Sequence, residues 1–322
     1  MKCIIQIPCL NEETTLPVTL NDLPKSLPGI DEIEILIVDD GSTDRTVAVA
    51  RAWGVHHVVG FRRNRGLARA FQLGIDTCLA RGADVIVNTD ADNQYYGPDI
   101  ARLVAPIVAG EADLVVGDRQ TQSIEHFSAL KKCLQKHGSL LVGSIAGMHV
   151  PDATSGFRAM TREAALELNV ISDFSYTLET LIQAGRKKLA VVSVPIRTNR
   201  VLRKSRLFRS VFSFVKRSAA TMIRVYTTHE PLKVFSVAAV VLMIGALIPF
   251  GRFLYFYLQS GAAGHVQSLI LGAVLFIASA FLFTVGVLSD LINANRKLLE
   301  QLLRKQRDVR GPGVPPEAGG DL

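Results

Sequence analysis

Asp84-Val85-Ile86-Val87-Asn88-Thr89-Asp90-Ala91-Asp92-Asn93-Gln94 reads as a buried strand running straight into two carboxylates. Val85 to Val87 is a short apolar run of the kind found inside a parallel sheet, so Asp90 and Asp92 fall at its carboxyl end, where open α/β sheets place their ligands. Carboxylates in an Asp-x-Asp pair suit a hard divalent cation, Mg2+ or Mn2+, which fills the rest of its shell with water and substrate oxygens. Spacing alone leaves a plainer reading open, because Asp pairs also cap helices and close turns.

Similar runs recur on either side of this one: Cys3 to Ile7, Ile33 to Val38, Val55 to Gly60, Asp113 to Gly117 and Leu189 to Val194. Helical stretches separate them, and this alternation predicts a mainly parallel sheet covered by helices on both faces. Three loops should then meet at the strands' carboxyl ends. The first is Pro8-Cys9-Leu10-Asn11-Glu12-Glu13, and the second is Asp39-Asp40-Gly41-Ser42-Thr43-Asp44-Arg45-Thr46. Acids there can accept from a base or a ribose, Gly41 lets the chain turn, and Ser42 or Thr43 is expected to cap the next helix; the plain reading is a capped turn, which is the purpose expected of Asp44. The third loop, Arg62-Arg63-Asn64-Arg65-Gly66-Leu67-Ala68-Arg69-Ala70, precedes a helix reaching Leu79. Free N–H groups at that helix start are expected to receive a diphosphate. The spacings of a P-loop and of a dinucleotide fingerprint are both missing.

The chain has 322 residues, a net charge of +7 and 48% hydrophobic residues, and its mean hydropathy of +0.27 is high for a wholly soluble enzyme. The apolar excess lies near the C-terminus. Val234 to Phe250 and Val266 to Ser289 carry no charge, and segments of about 20 such residues cross a bilayer core. Two transmembrane helices are therefore expected near 232–258 and 266–289, as a hairpin. Ten Lys/Arg stand between Ile196 and Lys233 against one acid, Glu230, and six more run from Arg296 to Arg310. The positive-inside rule puts both flanks, and the catalytic portion, on the cytoplasmic side of an inner or other cytoplasm-facing membrane. Residues 201–231 read as a basic amphipathic segment lying on membrane lipids, and 290–322 as a cytoplasmic helix with a disordered tail. Because these cations lead into a membrane span, nucleic acid is not expected as a partner. Oligomeric state is open, a homo-oligomer included. Cys3, Cys9, Cys78 and Cys133 lack bridge or metal-ligand spacing, the seven histidines read as surface or core residues, and Trp53 reads as a packing element.

Taken together, Pro8-Cys-Leu-Asn-Glu12, Val38-Asp-Asp-Gly-Ser-Thr-Asp-Arg-Thr46, Asn64-Arg-Gly66, Asp90-Ala-Asp-Asn-Gln94, Gly117-Asp-Arg119 and Asp152-Ala-Thr-Ser-Gly-Phe-Arg158 resemble the family 2 glycosyltransferases. The likeness is to the dolichyl-phosphate mannose synthase and polyprenyl-phosphate glycosyltransferase branch, over about residues 1–200. It implies a GT-A catalytic domain at 1–200, Rossmann-like, with a mainly parallel mixed sheet. It also implies a nucleotide-sugar site made by Pro8, Asn11, Glu12, Asp39, Asp40, Gly66, Asp90, Ala91 and Asp92, with Asp90, Asp92 and Gln94 holding the metal. Arg119, Lys132 and Lys136 would face the acceptor phosphate, and Asp92, Arg119 and Arg158 would be catalytic, although a structural salt bridge suits Arg158 equally. Arg200-Val-Leu-Arg-Lys-Ser205-Arg206 resembles the family's flap over the donor diphosphate, with Arg203 in place of its glycine.

The expected reaction moves a hexose from a GDP-mannose or UDP-glucose type donor to polyprenyl phosphate, with inversion implied by the resemblance. Two alternatives stand beside it. A lipid hydroxyl acceptor such as diacylglycerol would need a base, and Asp152 would gain importance. A nucleotide-sugar-binding scaffold would need no turnover at all. A processive polysaccharide synthase ranks lower, since such proteins carry a Gln-x-x-Arg-Trp motif and the one tryptophan here is Trp53.

Overall fold

In a computed structural model the chain is described at residues 1–120, 129–170, 176–199, 220, 226–227, 230–260 and 266–309. Its apolar runs form one seven-stranded sheet in the order β3-β2-β1-β4-β6-β5-β7. The strands are β1 (Lys2–Cys9), β2 (Glu32–Asp39), β3 (His57–Gly60), β4 (Val85–Asn88), β5 (Leu114–Asp118), β6 (Arg158–Thr161) and β7 (Val191–Pro195). All pairs are parallel except those made by β6, which runs antiparallel to both β4 and β5. Six of the seven strands match runs legible in the sequence. The seventh, β6, hides in Phe157-Arg-Ala-Met-Thr161, where a buried arginine breaks the apolar pattern.

Helices α1 (Leu16–Asp22), α2 (Thr46–Trp53), α3 (Leu67–Ala80), α4 (Ile100–Val108), α5 (Ala129–Ala146), α6 (Arg162–Glu167) and α7 (Tyr176–Arg186) fill the connections. Strand alternation divides β1 between two layers. Cys3, Ile5, Ile7 and Cys9 pack with Leu16 and Leu20 of α1, Ala50 of α2 and Leu103 of α4. On the other face α3 lies so close that a methyl on Gly74 would come within 2.2 Å of Gln6 Oε1. Trp53 is 40% exposed, and its Nε1 donates to Asn21 Oδ1 at 3.2 Å, so it belongs to the surface and not to the core.

The strand lengths open the crevice. β1 pairs with β4 only from Cys3↔Val85 to Gln6↔Asn88, yet continues beside β2 as far as Cys9↔Asp39. Thr89 N–H closes on Gln6 O and Asp40 N–H on Cys9 O, so by alternation Pro8 faces the side that β4 has already left. Its missing N–H therefore costs no ladder bond. From β1 the chain winds outward through β2 and β3, then crosses to β4 on the other side. That reversal is a topological switch point, and ligand crevices form at its carboxyl edge.

The chain divides into two compact units, Met1–Met222 with Arg304–Leu322, and Ile223–Leu303. The second contains α8 (Pro231–Ser260) and most of α9 (Val266–Val309), both long and apolar enough to cross a membrane. Gly272 meets Phe250, Ser279 Oγ donates to Ala239 O at 2.7 Å, and Gly286 meets Phe235, a pairing that descends along α8 as α9 ascends. The helices thus form an antiparallel hairpin, with small residues every seventh position at the contact. Second-span helix α9 does not stop near Ser289 but runs 44 residues, about 66 Å at 1.5 Å per residue.

Candidate active site

Loops after β1 and β2 are laced together at the crevice. Asn11, with a left-handed φ of 55°, donates its N–H to Ser42 Oγ at 2.9 Å and accepts Thr43 N–H on Oδ1 at 2.8 Å. Glu12 N–H donates to Thr46 Oγ1 at 2.8 Å, and Glu12 Oε2 accepts from Thr15 Oγ1 at 2.6 Å. Ser42 and Thr43 are thus committed to the first loop and do not cap α2 as expected. Asp44 does that work, accepting Thr46 N–H at 2.9 Å. Asp39 is buried at the end of β2, where both its oxygens accept Ser42 N–H at 3.1–3.2 Å.

Asp40 reaches the other way, accepting Arg65 N–H at 2.8 Å and Gly66 N–H at 3.0 Å. Burial pushes its carboxyl above the usual range, and these two N–H groups pull it partly back. Gly41, at φ +77°, lies so close to the third loop that a Cβ would stand 2.4 Å from the Arg63 carbonyl carbon. Backbone donors at 65 and 66, expected to meet a diphosphate, are therefore taken by Asp40. What this loop offers outward is side chains: Arg62, Arg63 and Arg65 are exposed.

After β4, Ala91 is buried and its carbonyl accepts from Thr19 Oγ1 at 2.9 Å, while Asp90 and Asp92 are half-buried. Asp92 Oδ1 accepts Gln94 N–H at 3.2 Å across Asn93, which has a φ of 54°. The plain Asx-turn reading is thus realised on one oxygen; the other, Asp92 Oδ2, has no partner among the described residues. No group of three or more His, Cys, Asp and Glu gathers to hold a metal among those residues. Two carboxylates fit Mg2+ or Mn2+ completed by phosphate and water, and do not fit a closed zinc site. Downstream, Gln94 O accepts Asn199 N–H at 2.8 Å, and Asp99 holds Arg197 through N–H and guanidinium at 2.6–3.3 Å. The segment leading to Arg200 is therefore sewn to the Asp90–Gln94 loop.

Beneath this loop, the Tyr95 ring stacks on Phe157 at 4.8 Å and the Tyr176 ring on Phe71 at 4.0 Å. Gly156 donates its N–H to Tyr95 Oη at 3.0 Å. Burial, reinforced by the Asp90 charge, keeps both phenols protonated far above neutral pH.

Arg119, just past β5, is 11% exposed and forms a two-pronged pair with Asp152, itself 2% exposed: Nε to Oδ2 at 2.6 Å and Nη2 to Oδ1 at 2.9 Å. Nη2 also reaches Thr154 Oγ1 at 2.7 Å. Burial alone would raise the Asp152 carboxyl, but the guanidinium holds it below the usual carboxylate range. Arg158 does not face the crevice. It is fully buried at the start of β6, where it donates to Ser155 O, Ala153 O and Thr180 Oγ1 at 2.6–3.1 Å. Burial draws its guanidinium down to about 10, and it braces the Ala153–Ser155 loop from below.

The structure thus brings Pro8, Asn11, Glu12, Asp39, Asp90, Ala91 and Asp92 to one crevice, with Asp40 clamping Gly66 beside it. Lys132 and Lys136 lie on α5, but their side chains, like the flap residues Arg200, Ser205 and Arg206, fall outside the described residues. Asn88, Tyr95 and Tyr176 were missed in the sequence, because residues of these types are common packing groups and only the fold shows what they touch.

Comparison with known proteins identifies the family of the segment that carries these residues. The glycosyl transferase family 2 pattern matches residues 4–168. The polyprenol monophosphomannose synthase of Mycolicibacterium smegmatis is 29% identical over 206 residues, 61% of this chain and 76% of that protein. The undecaprenyl-phosphate mannosyltransferase of Micrococcus luteus is 30% identical over 206 residues, 61% of this chain and 83% of its own length. Among solved structures, the Mycobacterium tuberculosis glucosyl-3-phosphoglycerate synthase, in complex with Mn2+, UDP and glucosyl-3-phosphoglycerate, superposes with a TM-score of 0.53. It is 20% identical, covering 70% of this chain and 78% of that one, and the likeness identifies the fold as GT-A. With its matching segment carrying both the crevice and the Asp-x-Asp loop, the chain belongs to glycosyl transferase family 2 and is a glycosyltransferase.

Proposed function

We propose that the protein is a membrane-anchored transferase that moves a hexose from a nucleoside diphosphate sugar to a polyprenyl phosphate, inverting the anomeric centre. One observation carries the reading: Asp90 and Asp92 stand across the β1/β4 switch point from Asn11 and Asp39, in a chain that continues into a basic segment and an apolar hairpin. The two named relatives act on polyprenyl phosphates, and the metal in the solved neighbour is Mn2+. Residues 1–200 form the catalytic domain, 232–258 and 266–289 span the membrane, and the flanking cations keep both ends on the cytoplasmic side.

Asp39, Asn11 and Glu12 receive the base and ribose. Asp90, Asp92 and Gln94 would hold an Mg2+ or Mn2+ ion, which when bound stabilises charge building on the leaving diphosphate. A phosphate monoester is already mostly ionised near neutral pH, its second pKa being about 6, so the acceptor needs positioning more than a base. Arg119 serves it through the Nη1 edge, which Asp152 and Thr154 leave unoccupied among the described residues. The pairing also weighs against a lipid hydroxyl acceptor. A base for that chemistry should have a raised pKa, and Asp152 is locked to Arg119 with its pKa lowered.

The test is a panel of UDP and GDP sugars offered with a short polyprenyl phosphate and with diacylglycerol, with and without chelator. Metal-dependent transfer to the phosphate is expected. Transfer to diacylglycerol alone, or full turnover in chelator, overturns the reading.

A further inference from the structure

Gln6 and Asn88 occupy registered positions on the two central strands, β1 and β4, and both are fully buried. Aliphatic side chains are the ordinary choice at such positions. Here an amide chain replaces them: Gln6 Nε2 donates to Asn88 Oδ1 at 2.9 Å, and Asn88 Nδ2 donates to Gly156 O at 2.8 Å and to Tyr176 Oη at 3.0 Å. Asn88 is thereby satisfied on both ends of its amide. Gln6 is not, for its Oε1 is buried without a partner, and such an orphan costs stability. A network that an apolar pair would outperform in the core has to be explained by what it holds.

It ends at Tyr176, whose hydroxyl stands near Asp90. Tyr176 Oη and both Asp90 oxygens lie around the point a Cβ of residue 156 would occupy, at 2.6, 3.2 and 3.4 Å. Only glycine leaves that space open. Tyr176 Oη accepts from Asn88, and the Asp90 charge is close enough to raise the phenol, although no hydrogen bond joins the two. Asn88 is also two residues before Asp90, so the same amide anchors the end of β4 from which the loop springs.

We infer that Asn88 and Tyr176 are positioning residues for Asp90: the buried chain Gln6–Asn88–Tyr176, closed on Gly156, fixes where the Asp90 carboxylate stands and so how tightly the Asp90/Asp92 pair holds a divalent ion. The inference rests on the proposed role of that pair in metal binding. Outer partners of metal-binding carboxylates are worth about 10–100-fold in affinity or activity, which sets the expected size of the effect.

Tyr176→Phe deletes the hydroxyl and keeps the ring that stacks on Phe71. Mn2+ is titrated into the full-length protein in detergent with UDP or GDP present, and free Mn2+ is read by EPR. Tyr176→Phe should bind Mn2+ at least tenfold more weakly, keep its thermal midpoint within a few degrees, and show a raised KM for Mn2+ with kcat largely recovered at saturation. Asn88→Leu should weaken Mn2+ binding too, and the double variant should be no weaker than the weaker single one, since both changes act through one path. Tyr176→Phe decides the matter alone should Asn88→Leu not fold. Wild-type binding with an unchanged Tyr176→Phe overturns this inference and leaves the proposed function standing; a wild-type protein that binds no Mn2+ overturns both.

Discussion

Asp152→Asn should destabilise the catalytic domain far more than an ordinary surface change, and the reason lies in what it leaves behind. The substitution abandons a guanidinium that is 11% exposed and has two carboxylate bonds, at 2.6 and 2.9 Å, in the wild type. Removing one partner of a buried pair costs about 3–5 kcal/mol, most of it the burden of an uncompensated charge. For a domain of about 200 residues each kcal/mol moves the melting temperature by roughly 2–4 °C, so a fall of about 10 °C is expected. Arg119→Ala should cost a similar amount from the opposite side. The double variant Arg119→Met with Asp152→Leu should recover most of the loss, because neither charge is then stranded. Thermal unfolding of the full-length protein in detergent, followed by intrinsic fluorescence and checked by circular dichroism, measures all four proteins. A loss below about 1 kcal/mol in the single variants would show the pair to be solvent-screened, and strictly additive losses in the double would show that the two residues do not act as a unit.

Three further outcomes follow from the geometry. Gly156→Ala puts a methyl 2.6 Å from Tyr176 Oη and within 3.4 Å of the Asp90 carboxylate, so turnover should fall more than tenfold while the far-UV spectrum is kept; a fully active variant would show that Asp90 needs no fixed place. Asp92→Asn retains an oxygen for the Gln94 turn but loses the negative charge, so folding should persist while metal-dependent turnover disappears. In acid, Asp99 and Asp152 both have folded pKa values held below the unfolded one, burial opposing and Arg197 or Arg119 prevailing. Their contribution is fully present above the unfolded value of about 3.9 and is lost as pH falls through the folded values. Denaturant titrations from pH 6 to pH 2 should therefore show a steep loss below about pH 4, and Asp99→Asn should flatten that limb.

The parallel frame was legible because β-branched runs and turn residues report their own periodicity, and the position of the Asp-x-Asp loop because it follows directly on a buried strand. Strand β6 was not, since Arg158 sits where an apolar residue was expected and its three hydrogen bonds are made to groups outside the strand. The capping given to Ser42 and Thr43, and the free N–H groups expected at residues 65 and 66, were lost for one physical reason. Local chemistry says which groups can cap a helix, but the fold decides whether a neighbouring loop claims them first, as Asn11 claims Thr43 and Asp40 claims Gly66. Arg119 was read as an anion receptor from the family resemblance, and its partner Asp152 stands 33 residues away, beyond the reach of any pattern in the local sequence.

These pairings alter the electrostatic account of the site. Glu12, Asp39, Asp40, Asp90 and Asp92 all stand at the crevice or its rim, while Arg119, the cation placed beside it, is matched by Asp152. A diphosphate and, still more, a phosphate monoester carrying about −1.5 to −2 charges have to approach these carboxylates. On the proposed reading the positive charge that receives them has two sources with different salt sensitivities. A divalent ion between Asp90 and Asp92 acts at contact distance and is screened little, whereas the exposed Arg62, Arg63 and Arg65 act across solvent, where screening at 0.15 M salt sets in at about 8 Å. Asp40 fits this division, since by holding the backbone of Arg65 and Gly66 it fixes the loop that carries the exposed arginines. Raising the salt concentration should then raise the KM for polyprenyl phosphate well before it disturbs metal-dependent donor binding. Donor and acceptor constants that climb together would place both anions on the same screened cations and deny the ion its separate part.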